Sequence, residues 1–172
     1  MKNLLIALAT MLAIINTSVA ISNNNDDVCS LIECKPGSKV MAKPSDVQES
    51  YYLCQSKEVA HYLEANIAVI TFLTVEAIKK NPSNPTLPEV SSVTGEPAVD
   101  GAARNFLEKA RKMAGVESLD DAVNMCDKER GILFFTVLDD PKELFVSWVA
   151  DTQTHKTYWI GKAELHLLQN KY

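Results

Sequence analysis

Four cysteines, Cys29, Cys34, Cys54 and Cys126, follow a stretch that reads as an export leader, and no other feature constrains the fold as strongly. An even count of cysteines in an exported chain implies disulfides, because compartments outside the cytoplasm keep thiols oxidised. Zinc is the weaker reading. Cys29-x4-Cys34 has one residue too many for the usual zinc knuckle, and no C-x-x-C or H-x-x-x-H accompanies it. Two pairings stay open: Cys29–Cys34 with Cys54–Cys126, or Cys34–Cys54 with Cys29–Cys126. In both, Cys126 makes the long-range link, which closes a loop of ~70–100 residues and contributes several kcal/mol.

The leader occupies residues 1–20. Lys2 supplies the positive end, Leu4 to Ile15 the apolar stretch, and Ser18-Val19-Ala20 the small residues of a cleavage site. Its apolar part is about a dozen residues, short of the ~20 needed to span a bilayer. The first cysteine follows Asp26-Asp27-Val28, which is no lipidation site. The expected product is residues 21–172, without stable membrane insertion, in the periplasm or secreted. Of 172 residues, 47% are apolar and 23% charged, which fits one globular domain with a core. Loss of Lys2 leaves 16 of the 17 basic residues against 22 acidic, a net charge of −6. With no basic run longer than Lys79-Lys80, nucleic acid is excluded as the main partner.

Residues 21–27 are polar and read as a disordered tail, and 28–44 as an irregular, disulfide-tied segment. Ser45-Asp46-Val47-Gln48 matches a capping box, which predicts a short helix to about Leu53. Ser56 caps a second helix from Lys57 to Lys80, a stretch without Gly or Pro. Val59, Leu63, Ile67, Ile70 and Thr74 form one stripe, widened by Val69, Phe72 and Leu73. So wide an apolar face predicts a long, buried central helix.

Residues 81–100 hold Pro82, Pro85, Pro88 and Pro97 and read as a long loop that cannot join a helix or central strand. Loops of this length are usually functional or disordered. Leu87, Pro88, Glu89 and Val90 at its centre are candidate partner-binding residues. Asp100 caps a helix from Gly101 to Ala114, closed by Gly115, and Ser118 starts another that reaches about Arg130. Then the period changes. Strands are expected over 132–138, 144–150 and 157–160, with Asp139-Asp140-Pro141-Lys142 as a turn and 162–169 as a last helix or edge strand. The fold class is α+β: an N-terminal disulfide-tied segment and helices, one long and buried, packed on a C-terminal three-stranded antiparallel meander.

No G-x-S-x-G, H-E-x-x-H, P-loop or G-x-G-x-x-G is present. His61 and Glu64 share a helix face, which suits an ordinary ion pair better than half a metal site. Cys54 with His155 or His166 as base is the one nucleophile combination, and a disulfide competes with it. Trp148, Trp159, Tyr158 and Phe145 could line a ligand-binding aromatic surface, of which Trp148 and Trp159 are the candidate partner-binding residues. No catalytic residue, metal ligand or cofactor is assigned, and nothing sets the oligomeric state. The expected function is therefore an exported protein-binding module, an inhibitor or immunity protein acting on a cell-wall-active enzyme or toxin. An accessory component of an envelope or secretion assembly, or a small hydrolase with an unrecognised site, are the alternatives.

Overall fold

The computed structural model describes residues 27–44, 49–142 and 145–168. The leader, residues 21–26 of the tail, the Ser45–Gln48 capping box and Leu144 lie outside the described residues. Asp27, the last residue of the expected tail, is held by Leu167, whose backbone N–H donates to its carbonyl at 2.7 Å.

Among the described residues two strands come first, then three helices in succession, then five strands. The strands are β1 (Lys39–Ala42), β2 (Tyr51–Cys54), β3 (Cys126–Glu129), β4 (Leu133–Asp139), β5 (Val146–Asp151), β6 (Thr157–Gly161) and β7 (Leu165–Leu167). The helices are α1 (Lys57–Lys80), α2 (Gly101–Ala114) and α3 (Leu119–Asn124). All strands join one sheet of order β3-β2-β6-β5-β4-β1-β7, with every pairing antiparallel. The α+β class holds, but the sheet is larger than a three-stranded meander. The expected meander forms its middle, β6-β5-β4, and four short strands extend it on both sides.

Two of those strands replace expected helix. Tyr51–Cys54 is a strand where a helix to Leu53 was predicted, and α3 stops at Asn124 with Cys126–Glu129 extended where a helix was predicted to reach Arg130. The disulfide Cys54–Cys126 is the physical reason. The two cysteines stand opposite each other in the β2–β3 register, with Cα atoms 4.4 Å apart, and fix the residues beyond them as a ladder. Cys29–Cys34 forms the second bridge, a short local loop. Helix boundaries elsewhere follow the caps. Ser56 accepts from the Val59 N–H, Ser118 and Asp121 form a reciprocal capping box, and Gly115 closes α2 in the left-handed region that favours glycine.

The sheet has apolar side chains on both faces. Val40, Tyr51, Leu53, Phe135, Val137, Val149, Ile160 and Leu165 fill one side together with both cysteines of the short disulfide. On the other, Cys54 and Val146 pack against Val59, Ala60, Tyr62 and Leu63 of α1 and against Ala110, Val116 and Ala122. Only the first half of α1 is buried, up to Asn66; from Ile67 onward none of its residues is fully covered. This corrects the expectation of one long buried helix. A 24-residue helix spans about 36 Å, whereas a six-residue strand such as β5 spans only about 20 Å. The helix outruns the sheet.

Leu63→Ala, which opens a cavity in the core, should therefore cost ~2–5 kcal/mol, and Ile70→Ala no more than about 1–2. Chemical denaturation of both variants measures the contrast. By the same method, replacing Cys54 and Cys126 together by Ala should cost about 4 kcal/mol, and replacing Cys29 and Cys34 about 2, since loop closure entropy grows with separation (72 against 5 residues).

Candidate functional site

The candidate residues fall into two separate places. At the N-terminal end of α1, Trp148 and Trp159 are direct partners in the β5–β6 register, which puts both indoles on the helix-bearing face. Their rings stack at 6.1 Å and 15°, and the Lys57 ammonium lies 5.4 Å from the centre of the Trp159 ring. Trp159 is partly covered by the helix layer, while Trp148 keeps 38% of its surface exposed. The other two aromatics of the expected cluster do not join them. Tyr158 points through the sheet to meet Phe135 edge-on at 6.5 Å, because neighbouring strand residues face opposite sides. Phe145 instead stacks on His61 at 5.6 Å, with Phe106 edge-on to both rings.

The proline-rich loop leaves the C-terminal end of α1 and runs back along the helix, with Pro88 and Ala98 beside Leu73 to Lys80 and Glu96 level with Tyr62. It is an anchored structure. Val90 and Pro97 form an isolated antiparallel bridge, and the Ser91 and Ala98 N–H groups donate across it to Glu96 and Glu89. The Glu96 carboxylate faces inward and accepts from the Tyr62 hydroxyl (2.9 Å) and the Arg111 Nε (3.1 Å), tying the loop to α1 and α2. Burial and that hydrogen bond push the Tyr62 phenol well above its ordinary pKa. The outer side of the loop is apolar: Leu87, Val90 and Val93 are 67%, 56% and 81% exposed. Between loop and helix runs a groove of about 320 Å³ lined by Leu73, Glu76, Ala77, Lys80, Pro88 and Ala98.

Sequence reasoning missed the buried acids. Glu64 faces Glu164, not His61, so the expected His61–Glu64 ion pair is absent. A Cβ on Gly161 would fall 2.5 Å from the Glu64 carboxyl carbon and in direct collision with the Glu164 Oε2. Two carboxyl groups therefore converge on one point where the backbone carries no side chain. The Glu164 Oε2 finds no hydrogen-bond partner among the described residues. Burial pushes both acids upward, Glu164 to about 7, and for Glu64 the neighbouring Glu164 adds to the effect. His61 is pushed the other way, chiefly by burial and then by Lys57, so its imidazole is neutral at pH 7.

Asp140 is also a surprise. The turn after β4 is present, but this side chain goes inward. Its carboxylate takes the Lys162 ammonium at 2.8 Å, the Ser147 hydroxyl at 2.5 Å and the Cys34 N–H at 3.2 Å. Lys162 also donates to the Pro141 carbonyl. The ion pair thus binds the short disulfide loop to two sheet turns, with all its partners satisfied. Cys54, as a disulfide sulfur, is no nucleophile. The only sequence signal for either buried acid was negative: Glu64 sits within the apolar stripe, and Glu164 three residues after a glycine.

Among the described residues no three metal-ligating side chains converge, and no helix is long and apolar enough to cross a membrane. A scan of protein-family models finds no match to the chain, and neither the curated proteins nor the solved structures contain one.

The acid pair predicts an unusual pH dependence. Below pH ~4.5 these carboxyls are protonated in both folded and unfolded chains. As the pH rises from about 4.5 towards 7, the unfolded chain releases the protons while the fold retains them, so stability falls until Glu164 ionises in the fold near 7. The melting temperature should drop between pH 5 and 8. Glu164→Gln, which keeps the size and cannot ionise, should flatten that slope and raise the melting temperature at pH 8.

Proposed function

We propose that this chain is an exported protein-binding module that engages its partner through the distal half of α1 and the proline-rich loop. One observation carries this reading: Ile67 to Ile78 of α1 are incompletely covered and border a groove with the proline-rich loop, which itself exposes Leu87, Val90 and Val93. Apolar groups gathered at one end of a molecule mark an interaction site. The loop that frames the groove is pre-ordered by prolines and by the Glu96 anchor, so little conformational entropy is lost on binding.

An exported location agrees with the two disulfides and with the leader-like first twenty residues, and a periplasmic setting is part of the proposal. There, an inhibitor or immunity protein facing a basic cell-wall-active enzyme or toxin fits an acidic chain of net charge −5, since opposite charge steers encounter. The hydrolase alternative has little support in the geometry. The close carboxyl pair, Glu64 and Glu164, is sealed from solvent and offers a substrate no access. An accessory role in an envelope assembly would use the same end of the molecule without inhibition.

The test separates binding from folding. Leu87→Ser, Val90→Ser and Val93→Ser together remove exposed groups only and should leave the melting temperature within a few degrees of the parent. Association with the envelope partner, followed by cross-linking in the periplasm, should fall at least tenfold. A parent chain that inhibits muramidase-driven lysis of cell walls, and a triple variant that does not, supports the inhibitor form. Unchanged cross-linking in the triple variant overturns the docking role of this end. Glu96→Ala is the contrasting change: it frees the loop from Tyr62 and Arg111 and should destabilise by about 1–3 kcal/mol.

A further inference from the structure

The helices cover only part of their side of the sheet. Beyond Val146 and Trp159, that face continues bare across β6, β5, β4 and β1. Its residues are placed by register, since directly paired residues share a face. One row runs Trp159, Trp148, Asp139 across β6, β5 and β4. The next runs Thr157, Ala150, Thr136, Lys39 across β6, β5, β4 and β1. Phe134, two residues from Thr136 on the same strand and paired with Met41, belongs to the same face and is 45% exposed.

These rows describe a shallow dish with a definite chemistry. The Trp148 indole is a flat apolar surface pinned by its stack on Trp159. Ala150 leaves low ground beside it, bordered by the hydroxyl of Thr157 and by that of Thr136, which accepts from the Lys39 ammonium at 2.7 Å and keeps its own proton to donate. Asp139 is exposed next to Trp148, and its carboxylate has no hydrogen bond or ion pair among the described residues. Lys57 places an ammonium on the other side of the aromatic pair. Asp139 and Lys57 flank the ring stack, with the Lys39 ammonium held on Thr136 in the next row, so the face suits neither a simple anion nor a simple cation. Asp139 repels phosphates and nucleotides, while Lys57 repels a cation that would otherwise sit over the indoles. What remains is a neutral ring with an apolar face and a rim of groups that both donate and accept.

We propose that this face binds a neutral pyranose of a glycan. The C–H face of the sugar stacks on Trp148. Its hydroxyls donate to the Asp139 carboxylate and exchange hydrogen bonds with Thr157 and Thr136, as in sites where a few polar groups orient a ligand on an apolar floor. Phe134 lies roughly 14 Å from Trp148 by strand geometry, so a second stacking position lies along the same line and an oligosaccharide fits better than a single sugar. The platform is separate from the groove between α1 and the proline-rich loop, and neither proposal depends on the other.

Trp148 and Trp159 are the only tryptophans of the chain, so intrinsic fluorescence reads this site alone. The protein, purified after export with its disulfides intact, is titrated with chitotriose, cellotriose and maltotriose up to about 10 mM, the weak end of specific binding. At least one should shift the emission saturably. Calorimetry with that sugar should show at least tenfold weaker binding for Trp148→Ala and roughly fivefold weaker for Asp139→Asn, the loss of about one hydrogen bond. Both substitutions are on the surface, and melting curves should confirm an unchanged fold. No saturable response to any of the three sugars overturns the proposal, as does full binding by a folded Trp148→Ala variant. A response to tetramethylammonium but to none of the sugars also overturns it and identifies the stack as a cation site.

Discussion

Cys54 is the residue through which the parts of this fold meet. It is bonded to Cys126, stands opposite Trp159 across the β2–β6 pairing, and precedes by two residues the Ser56 cap that starts α1. One buried side chain therefore fixes an edge strand, the attachment of that edge to the central meander, and the point where the main helix leaves the sheet. The entropy removed by a bridge between residues so far apart in sequence is several kcal/mol, comparable with the net stability of a small domain. Without it, β3, polar apart from Cys126 and with no fully buried residue, has little apolar contact of its own to hold it in place.

The polar interior divides into two arrangements with opposite energetics. Around Asp140, an ammonium, a hydroxyl and a backbone N–H satisfy one carboxylate, and the result is a tie between three chain segments. Around Gly161, two carboxyls meet with no basic partner, and the fold tolerates them because they hold their protons. That tolerance depends on pH, so the contact between α1 and the turn after β6 is tightest under mildly acidic conditions. The junction lies within about one helical turn of where the buried part of α1 ends.

The two exposed surfaces arise from one geometric mismatch. Short strands make a small sheet, and α1 is too long for it and covers only part of its face. The distal half of α1 is flanked by the anchored loop, and the part of the sheet that the helices leave uncovered presents Trp148 and Phe134. An apolar groove and a mixed aromatic and polar platform differ in chemistry, so the two proposed partners, a protein and a glycan, would not compete for one surface.

The sequence by itself determined the features that depend on local chemistry. Caps at Ser56 and Ser118, the αL glycine after α2, the proline-rich loop, the β-branched and aromatic runs of β4 to β6 and the even cysteine count were all legible, because each acts over a few residues. Tertiary structure alone decided the rest. Residues 51–54 and 126–129 became strands because a disulfide holds them side by side, and four-residue strands carry too little periodicity to announce themselves. The apolar stripe of α1 reads the same along its whole length, and only what packs against it decides that Leu63 is core and Ile70 half-buried. The Glu64–Glu164 contact joins residues a hundred positions apart, and its existence rests on the missing side chain of Gly161. Burial and pairing are properties of what lies opposite a residue, and for residues distant in sequence only the folded chain specifies that.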